Sequence, residues 1–213
     1  MSKTAYQRFL CIRDGFYEDL GKVYRKARTA NYIEHEFATG VRSSTVYHEA
    51  GVRQKLERFL GLRITRWDTD PAHENGVFYI GAAQGRLKEM PGIHIDHPND
   101  DVTVVIYLTP GLPPDCGTSL WQHRRTGLAD AATPADARRL TMRYADLLRV
   151  FERDARIRER WIELDRIAYK PNRMVAYPSG VFHSASRHHG SSVADARLYQ
   201  TFRVGVDWVS QAR

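Results

Sequence analysis

Short strand-like segments separated by turn residues follow one another from about residue 62 onward. This pattern restricts the fold class more than any other feature of the sequence. The strongest segment is residues 102–108, a run rich in the β-branched side chains that favour strands. Further segments with strand character lie at residues 75–80, 92–96, 116–123, 161–169, 173–177 and 197–204. Many short strands of this kind predict a barrel or a double-sheet jelly roll.

The N-terminal part of the chain, residues 1–70, has a helical character instead. Apolar side chains recur at helical spacing in residues 14–27 and again in residues 49–60, and Gly61 is a suitable C-terminal stop for the second helix. We therefore expect helices that flank the strand-rich core.

A second helical segment, residues 130–160, interrupts the strands. Thr133 is a good N-cap and Pro134 suits the first helical position. One apolar stripe follows, opposite a densely charged face, and consists of Leu140, Tyr144, Leu147, Leu148 and Phe151. The favoured interpretation is a helix packed on the outside of the barrel; a lid over a cleft is the alternative.

Composition places the chain among globular proteins of one domain, residues 1–213. It contains two cysteines and no apolar run of membrane-spanning length, so we expect a reducing cytoplasm and no membrane segment. The net charge is +7, but the arginines are interleaved with acidic residues, which does not favour nucleic acid as a partner.

Three residues form a candidate metal site. His94 and Asp96 are two positions apart and would share one face of a strand, and His183 follows a later strand and a Pro-Ser-Gly turn. Two imidazoles and one carboxylate form a facial triad that leaves open positions on an octahedral metal and suits non-heme Fe(II). His188 and His189 lie in a polar stretch, which favours a solvated turn.

Residues 94–100, followed by the strand at 102–108, resemble the core of Fe(II)/2-oxoglutarate-dependent dioxygenases, in the prolyl-hydroxylase-like branch. The resemblance covers residues 76–206 without the helical insert. It implies a mainly β, α+β fold: a double-stranded β-helix (jelly-roll, cupin-like) core with N-terminal helices and a helical insert. It also implies Fe(II) as the metal, 2-oxoglutarate and molecular oxygen as co-substrates, and ascorbate as a further candidate cofactor.

The same resemblance implies a site for the distal carboxylate of 2-oxoglutarate. Arg197, on the last strand, matches the basic residue of the family, and an arginine suits a carboxylate because its planar fork can donate two parallel hydrogen bonds. Tyr107 matches a position whose hydroxyl can help to hold that carboxylate. Arg203 shares the strand face of Arg197 and is a second candidate, for 2-oxoglutarate or for the substrate.

The reaction implied is hydroxylation of an unactivated C–H bond. Asp96 retains the carboxylate that halogenases of the family replace, which favours oxygen insertion. A small molecule, such as an amino acid or a biosynthetic intermediate, is the favoured substrate, and the protein is expected to be a monomer or a homodimer. The alternatives are a protein (prolyl-type) hydroxylase, a nucleic-acid demethylase and a non-enzymatic cupin-like barrel that binds a metal.

Overall fold

The computed structural model describes residues 9–34, 40–89, 92–96 and 100–211. Its strands, in chain order, are β1 (Cys11–Arg13), β2 (Tyr32–Glu34), β3 (Val41–Ser43), β4 (Leu62–Arg66), β5 (Val77–Gly81), β6 (Val102–Tyr107), β7 (Thr118–His123), β8 (Trp161–Ile167), β9 (Met174–Pro178), β10 (His183–Ala185) and β11 (Arg197–Gln211). Its helices are α1 (Leu20–Arg28), α2 (Val52–Leu60), α3 (Pro134–Arg139) and α4 (Tyr144–Asp154).

Two antiparallel sheets form the core. The major sheet has eight strands in the order β1-β9-β6-β11-β5-β3-β2, with β4 also paired to β11. The minor sheet has the order β10-β7-β8, and residues 92–96 extend its β10 edge through a single bridge between His94 and His183. The predicted double-stranded β-helix core is confirmed.

The apolar side chains divide into three clusters, which define four layers. The outer face of the major sheet, including Val104 and Phe202, packs against α1 and α2. A second cluster, including Tyr107 and Leu120, fills part of the space between the sheets. A third joins the outer face of the minor sheet to α3 and α4. Because β6 is buried along its whole length, it lies at the centre of this arrangement.

The N-terminal part differs from the expectation in its strands. Both predicted helices are present, although they begin later than expected, and Gly61 ends α2 with a positive φ of 68°. Residues 1–70 also contain the three-residue strands β1 to β3, which lie outside the segments predicted as strands, whereas β4 lies where strands were expected to begin. Strands of three residues, such as β1 to β3, are too short to carry a period-two signal.

The helical insert consists of two helices, because Thr141 adopts a positive φ of 54° between α3 and α4. Thr133 caps α3 in a capping box with Asp136, as expected. The predicted stripe is only half buried: Leu147 and Phe151 lie in the third cluster, whereas Tyr144 and Leu148 are exposed. The packed interpretation therefore holds for the inner face of α4.

None of the helices in the described part of the chain has the length and hydrophobicity that a membrane crossing requires. The predicted turn after Asp96 lies largely outside the described residues, since residues 97–99 are not among them.

Candidate metal and co-substrate site

One short antiparallel bridge brings the two candidate histidine ligands together. The amide of His94 donates to the carbonyl of His183 at 3.0 Å, and the amide of His183 donates back to the carbonyl of His94 at 2.8 Å. The ring centroids are 4.4 Å apart. Residues 92–96 do not form the continuous strand that the sequence suggested, because this bridge is their only β-pairing among the described residues.

Asp96 completes the group. Its amide donates to the carbonyl of Ser179 at 2.9 Å, which holds residues 92–96 against the turn before β10. The carboxylate lies 3.5 Å from Nε2 of His183 and 3.8 Å from Nε2 of His94. One ligand atom from each of the three residues lies within 4.8 Å of the others, close enough for all three to bind one ion.

Both imidazoles are oriented in the same way. Nδ1 of His94 is 2.8 Å from the carbonyl of Gly92, and Nδ1 of His183 is 2.9 Å from the carbonyl of Val181. A carbonyl can only accept, so Nδ1 carries the proton in each ring and Nε2 keeps its lone pair. Carbonyl partners of this kind fix the ring and tautomer of metal-binding histidines.

The protonation states also suit a cation. Burial lowers the pKa of His183 to about 4, because the imidazolium would lose its hydration. Burial by itself would raise the pKa of Asp96, but the guanidinium of Arg203, above all, holds it far below the usual range of a carboxyl group. At neutral pH the site therefore presents a carboxylate and a neutral buried imidazole, which are the forms that bind metals.

Asp96 is held by two neighbours. The hydroxyl of Thr103 donates to Oδ2 at 2.5 Å, and Nη2 of Arg203 donates to Oδ1 at 2.7 Å. Nη1 of Arg203 also forms an ion pair with Glu74, a buried carboxylate. Arg203, predicted to contact 2-oxoglutarate or substrate, is thus engaged by two carboxylates of the protein. Its contact with a ligand stays a prediction.

Arg197 lies deeper in the same space, with 3% of its surface exposed. Its Nε donates to the carbonyl of Cys116 at 2.7 Å, and Nη2 lies 3.4 Å from the carbonyl of Gly117. It forms no ion pair with any residue that the structure describes. A buried guanidinium whose oxygen partners are carbonyls fits an anionic ligand, because burial of an uncompensated charge is unfavourable.

Tyr107 lies beside Arg197, with the guanidinium carbon 5.2 Å from its ring centroid. Its hydroxyl donates to Oγ1 of Thr118 at 2.8 Å. Holding a carboxylate would require that proton to turn from Thr118 to the ligand. The predicted hydroxyl contact stays a prediction.

A cavity of about 1000 Å³ connects these groups. The three candidate ligands line it, as do Arg197 and Arg203. Opposite walls come from the major sheet and from the C-terminal end of α4. The polar and charged residues of these walls include Arg42, Glu74, Tyr79, Glu89, Glu152, Arg153, Arg156 and Tyr199.

Some of these residues were missed by the sequence reasoning. Glu74 and Thr103 carry no local motif, and only the fold brings Thr103 to Asp96 and Glu74 to Arg203. His188, expected in a solvated turn, is buried 3.1 Å from Glu89, and burial followed by the charges of Arg197 and Arg158 lowers its pKa to about 3. Gly81 leaves room for this ring, because a Cβ there would lie 2.4 Å from Nδ1 of His188.

His123, on β7, is a structural residue. It is fully buried, away from the cavity lining, and its ring nitrogens lie 3.0 Å from Thr126 Oγ1 and 3.1 Å from Asp154 Oδ2. Asp154 ends α4, so His123 joins the helical insert to β7.

Comparison with a family model, described as "Family of unknown function (DUF6445)", gives a match over residues 80–198. That segment contains the candidate metal ligands and Arg197. No curated protein matches the chain.

Several solved structures resemble the chain in overall shape. A prolyl-4-hydroxylase from Pseudomonas putida is 11% identical, with a TM-score of 0.43 and coverage of 92% of both chains. A Trichoplax adhaerens prolyl hydroxylase, solved with a fragment of the hypoxia inducible factor oxygen degradation domain, is 14% identical, with a TM-score of 0.43 and coverage of 92% of this chain and 83% of that one. HygX from Streptomyces hygroscopicus, solved with nickel and 2-oxoglutarate, is 10% identical, with a TM-score of 0.47 and coverage of 100% and 90%.

Proposed function

We propose that this chain, which belongs to the DUF6445 family of proteins of unknown function, is an Fe(II)- and 2-oxoglutarate-dependent oxygenase that hydroxylates a small molecule. The observation that carries the proposal is the meeting of two different donor sets in one cavity. A group of two histidines and one aspartate lies at one place, and Arg197, which is buried and forms no ion pair with any described residue, lies at another.

The donor set fits Fe(II). His94, Asp96 and His183 would hold the ion through two imidazole nitrogens and one carboxylate oxygen, the combination typical of non-heme iron oxygenases. The carbonyls of Gly92 and Val181 keep both Nε2 atoms available. Thr103 and Arg203 orient the carboxylate and balance its charge. Neighbours of this kind typically change metal affinity by 10- to 100-fold when they are removed.

Arg197 would bind the distal carboxylate of 2-oxoglutarate, and Tyr107 is proposed as a second contact. Bound iron and 2-oxoglutarate together supply the oxidising power for insertion of one oxygen atom of O₂ into a C–H bond. The protein supplies the binding groups, their orientation and the cavity in which they meet.

The cavity supports a polar small molecule as the substrate. Its volume of about 1000 Å³ is at the upper end of the usual range for small-molecule sites, and the walls carry charges of both signs. A polar small molecule, such as an amino acid or a biosynthetic intermediate, would fit this lining.

The deciding experiment is an anaerobic titration. Fe(II) and then 2-oxoglutarate are added to the purified protein, and the weak visible charge-transfer band of the chelate is recorded. We expect the band in the wild type and its loss in Asp96→Ala and His183→Ala, together with loss of stoichiometric iron. Asp165→Ala, which removes an exposed carboxylate on β8, is the matched control and should behave as the wild type does.

Iron binding without a band would overturn the co-substrate assignment and favour a cupin-like metal-binding barrel. Unchanged iron stoichiometry in Asp96→Ala would refute the metal ligands themselves. If the band forms, release of succinate above the uncoupled background identifies substrates among polar small molecules.

A further inference from the structure

Arg197 lies within a column of stacked planar groups. The rings of Tyr79 and Tyr199 are parallel within 9°, with centroids 5.3 Å apart. The guanidinium carbon of Arg197 lies 4.3 Å from the centroid of Tyr199 and 5.2 Å from that of Tyr107. Beyond Tyr107, the ring of Tyr169 stacks at 4.7 Å and 17°. The cation is therefore flanked by aromatic rings on both sides.

Strand register produces this column. Tyr199 of β11 pairs directly with Tyr79 of β5 on one side and with Tyr107 of β6 on the other. Residues directly opposite each other in an antiparallel sheet share a face. Arg197 is two positions from Tyr199 and so shares that face too. The three tyrosines form a row across the sheet, and the guanidinium enters this row between Tyr199 and Tyr107.

The column compensates for the lack of a carboxylate partner. Rings attract cations most when both are desolvated; Arg197 is buried, and Tyr199 is partly buried against the cluster between the two sheets. Hydrogen bonds to Cys116 and Gly117 use two of the five N–H groups of the guanidinium and fix its edge, while the rings fix its plane. An arginine without an ion pair is thus held in one orientation before any anion binds.

We infer that Tyr199 is a positioning residue that makes the site select 2-oxo acids with a distal carboxylate over those without one. This inference rests on the proposed function, in which Arg197 binds that carboxylate. Tyr199 acts through the guanidinium and not on the ligand's keto acid end, so its loss should weaken only ligands that reach Arg197.

The test compares two 2-oxo acids in anaerobic titrations of the Fe(II) protein: 2-oxoglutarate, and 2-oxobutyrate, which lacks the distal carboxylate. Tyr199→Met keeps much of the volume but removes the ring. We expect its dissociation constant for 2-oxoglutarate to rise by about 5- to 30-fold, the range of a desolvated cation–π contact. Its constant for 2-oxobutyrate should stay within about twofold of the wild-type value, because that ligand does not reach Arg197.

Tyr199→Phe is the matched control. It keeps the ring and removes only the hydroxyl, so both dissociation constants should stay within about threefold of the wild type. Tyr79→Met, which removes the outer ring of the stack, should shift the 2-oxoglutarate constant in the same direction by a smaller factor. Tyr79→Met replaces Tyr199→Met in the test if circular dichroism and thermal unfolding show that Tyr199→Met does not fold.

An unchanged 2-oxoglutarate constant in both methionine variants would overturn the inference, and so would an equal loss of affinity for both oxo acids. Failure of the proposed function is distinguishable, because the wild type would then give no band with either acid. Calorimetric titration of glutarate into metal-free protein provides an iron-independent measurement. Glutarate should bind the wild type and Tyr199→Phe more tightly than Tyr199→Met.

Discussion

Arg197 and Arg203 project from the same face of β11 into the same cavity, yet the protein surrounds them differently. Arg203 is held between two carboxylates, Asp96 and Glu74. Arg197 is more deeply buried and has two backbone carbonyls and two aromatic rings around it. Two residues of one type on one strand face thus have different electrostatic surroundings.

The difference separates a structural cation from one suited to a ligand. A charge pair that is complete within the protein contributes to the folded state, and removing one partner leaves the other buried and uncompensated. Aromatic rings and carbonyls compensate a buried cation only in part, and an anion that binds completes the compensation. Functional sites often hold such groups at the expense of stability. The same substitution should therefore mainly lower stability at Arg203 and mainly lower ligand affinity at Arg197.

The largest effect on stability is expected for Arg203→Met. Asp96 and Glu74 would remain buried without their shared cation, and breaking a buried pair in this way costs about 3–5 kcal/mol of unfolding free energy. Urea denaturation of the metal-free protein measures this directly. Arg63→Met, which removes an exposed partner of Asp207, is the control and should change stability by less than about 1 kcal/mol. If the two substitutions lower the unfolding free energy equally, Arg203 does not have the structural role assigned to it.

Arg197→Met should lower the unfolding free energy of the metal-free protein by less than Arg203→Met does, about 1–3 kcal/mol, because two carbonyls lose a donor but no paired carboxylate is left uncompensated. Its affinity for 2-oxoglutarate should fall by about 2–5 kcal/mol, the usual effect of removing one member of a buried charge pair. The chelate band and urea denaturation measure the two quantities. An unchanged affinity for 2-oxoglutarate would mean that Arg203 or another residue binds its distal carboxylate. A loss of unfolding free energy as large as that of Arg203→Met would mean that Arg197 also has a mainly structural role.

Tyr107→Phe tests whether the hydroxyl of Tyr107 contributes to the site around Arg197. The ring that flanks the guanidinium is kept, and only the hydroxyl that donates to Thr118 is lost. We expect the 2-oxoglutarate affinity to fall by about 1 kcal/mol, the typical contribution of one hydrogen bond. If titration gives the wild-type affinity, the hydroxyl serves Thr118 alone and Tyr107 acts through its ring.

A third arginine, Arg173, pairs with an exposed carboxylate, whereas the carboxylates that bind Arg203 are buried. Arg173 and Lys170 bind Asp14 at 2.7 and 2.8 Å near the surface, and these hydrogen bonds lower the pKa of Asp14 to about 2. A carboxyl whose pKa is lower in the folded state stabilises the protein above its unfolded pKa of about 4 and loses this effect as the pH falls through 2. Asp14→Asn should therefore cost no more than about 1 kcal/mol at pH 7, since the pair is exposed.

The measurement for Asp14 is the difference in urea denaturation between wild type and variant at pH 7 and at pH 2.5. The difference should shrink at the lower pH. A difference that stays constant would assign the effect to packing and not to charge.

Local signals in the sequence were sufficient for several elements. The β-branched run predicted β6, Thr133 and Pro134 predicted the start of α3, and Gly61 predicted the end of α2. Each of these depends on residues that are close together in the chain. The strands β1 to β3, the break at Thr141 and the burial of His188 escaped prediction, because long-range packing and pairing produce them.

The sequence by itself determined which chemical groups are available and which of them share a face. It presented His94, Asp96 and His183 as candidate metal ligands, and the period of β11 placed Arg197 and Arg203 on one side of the strand. Only the tertiary structure decided which groups contact each arginine. Glu74 and Asp96 reach Arg203, and the carbonyl of Cys116 and the ring of Tyr107 reach Arg197, from segments far away in the chain. Such partners depend on strand order and register, which no local pattern of residues encodes.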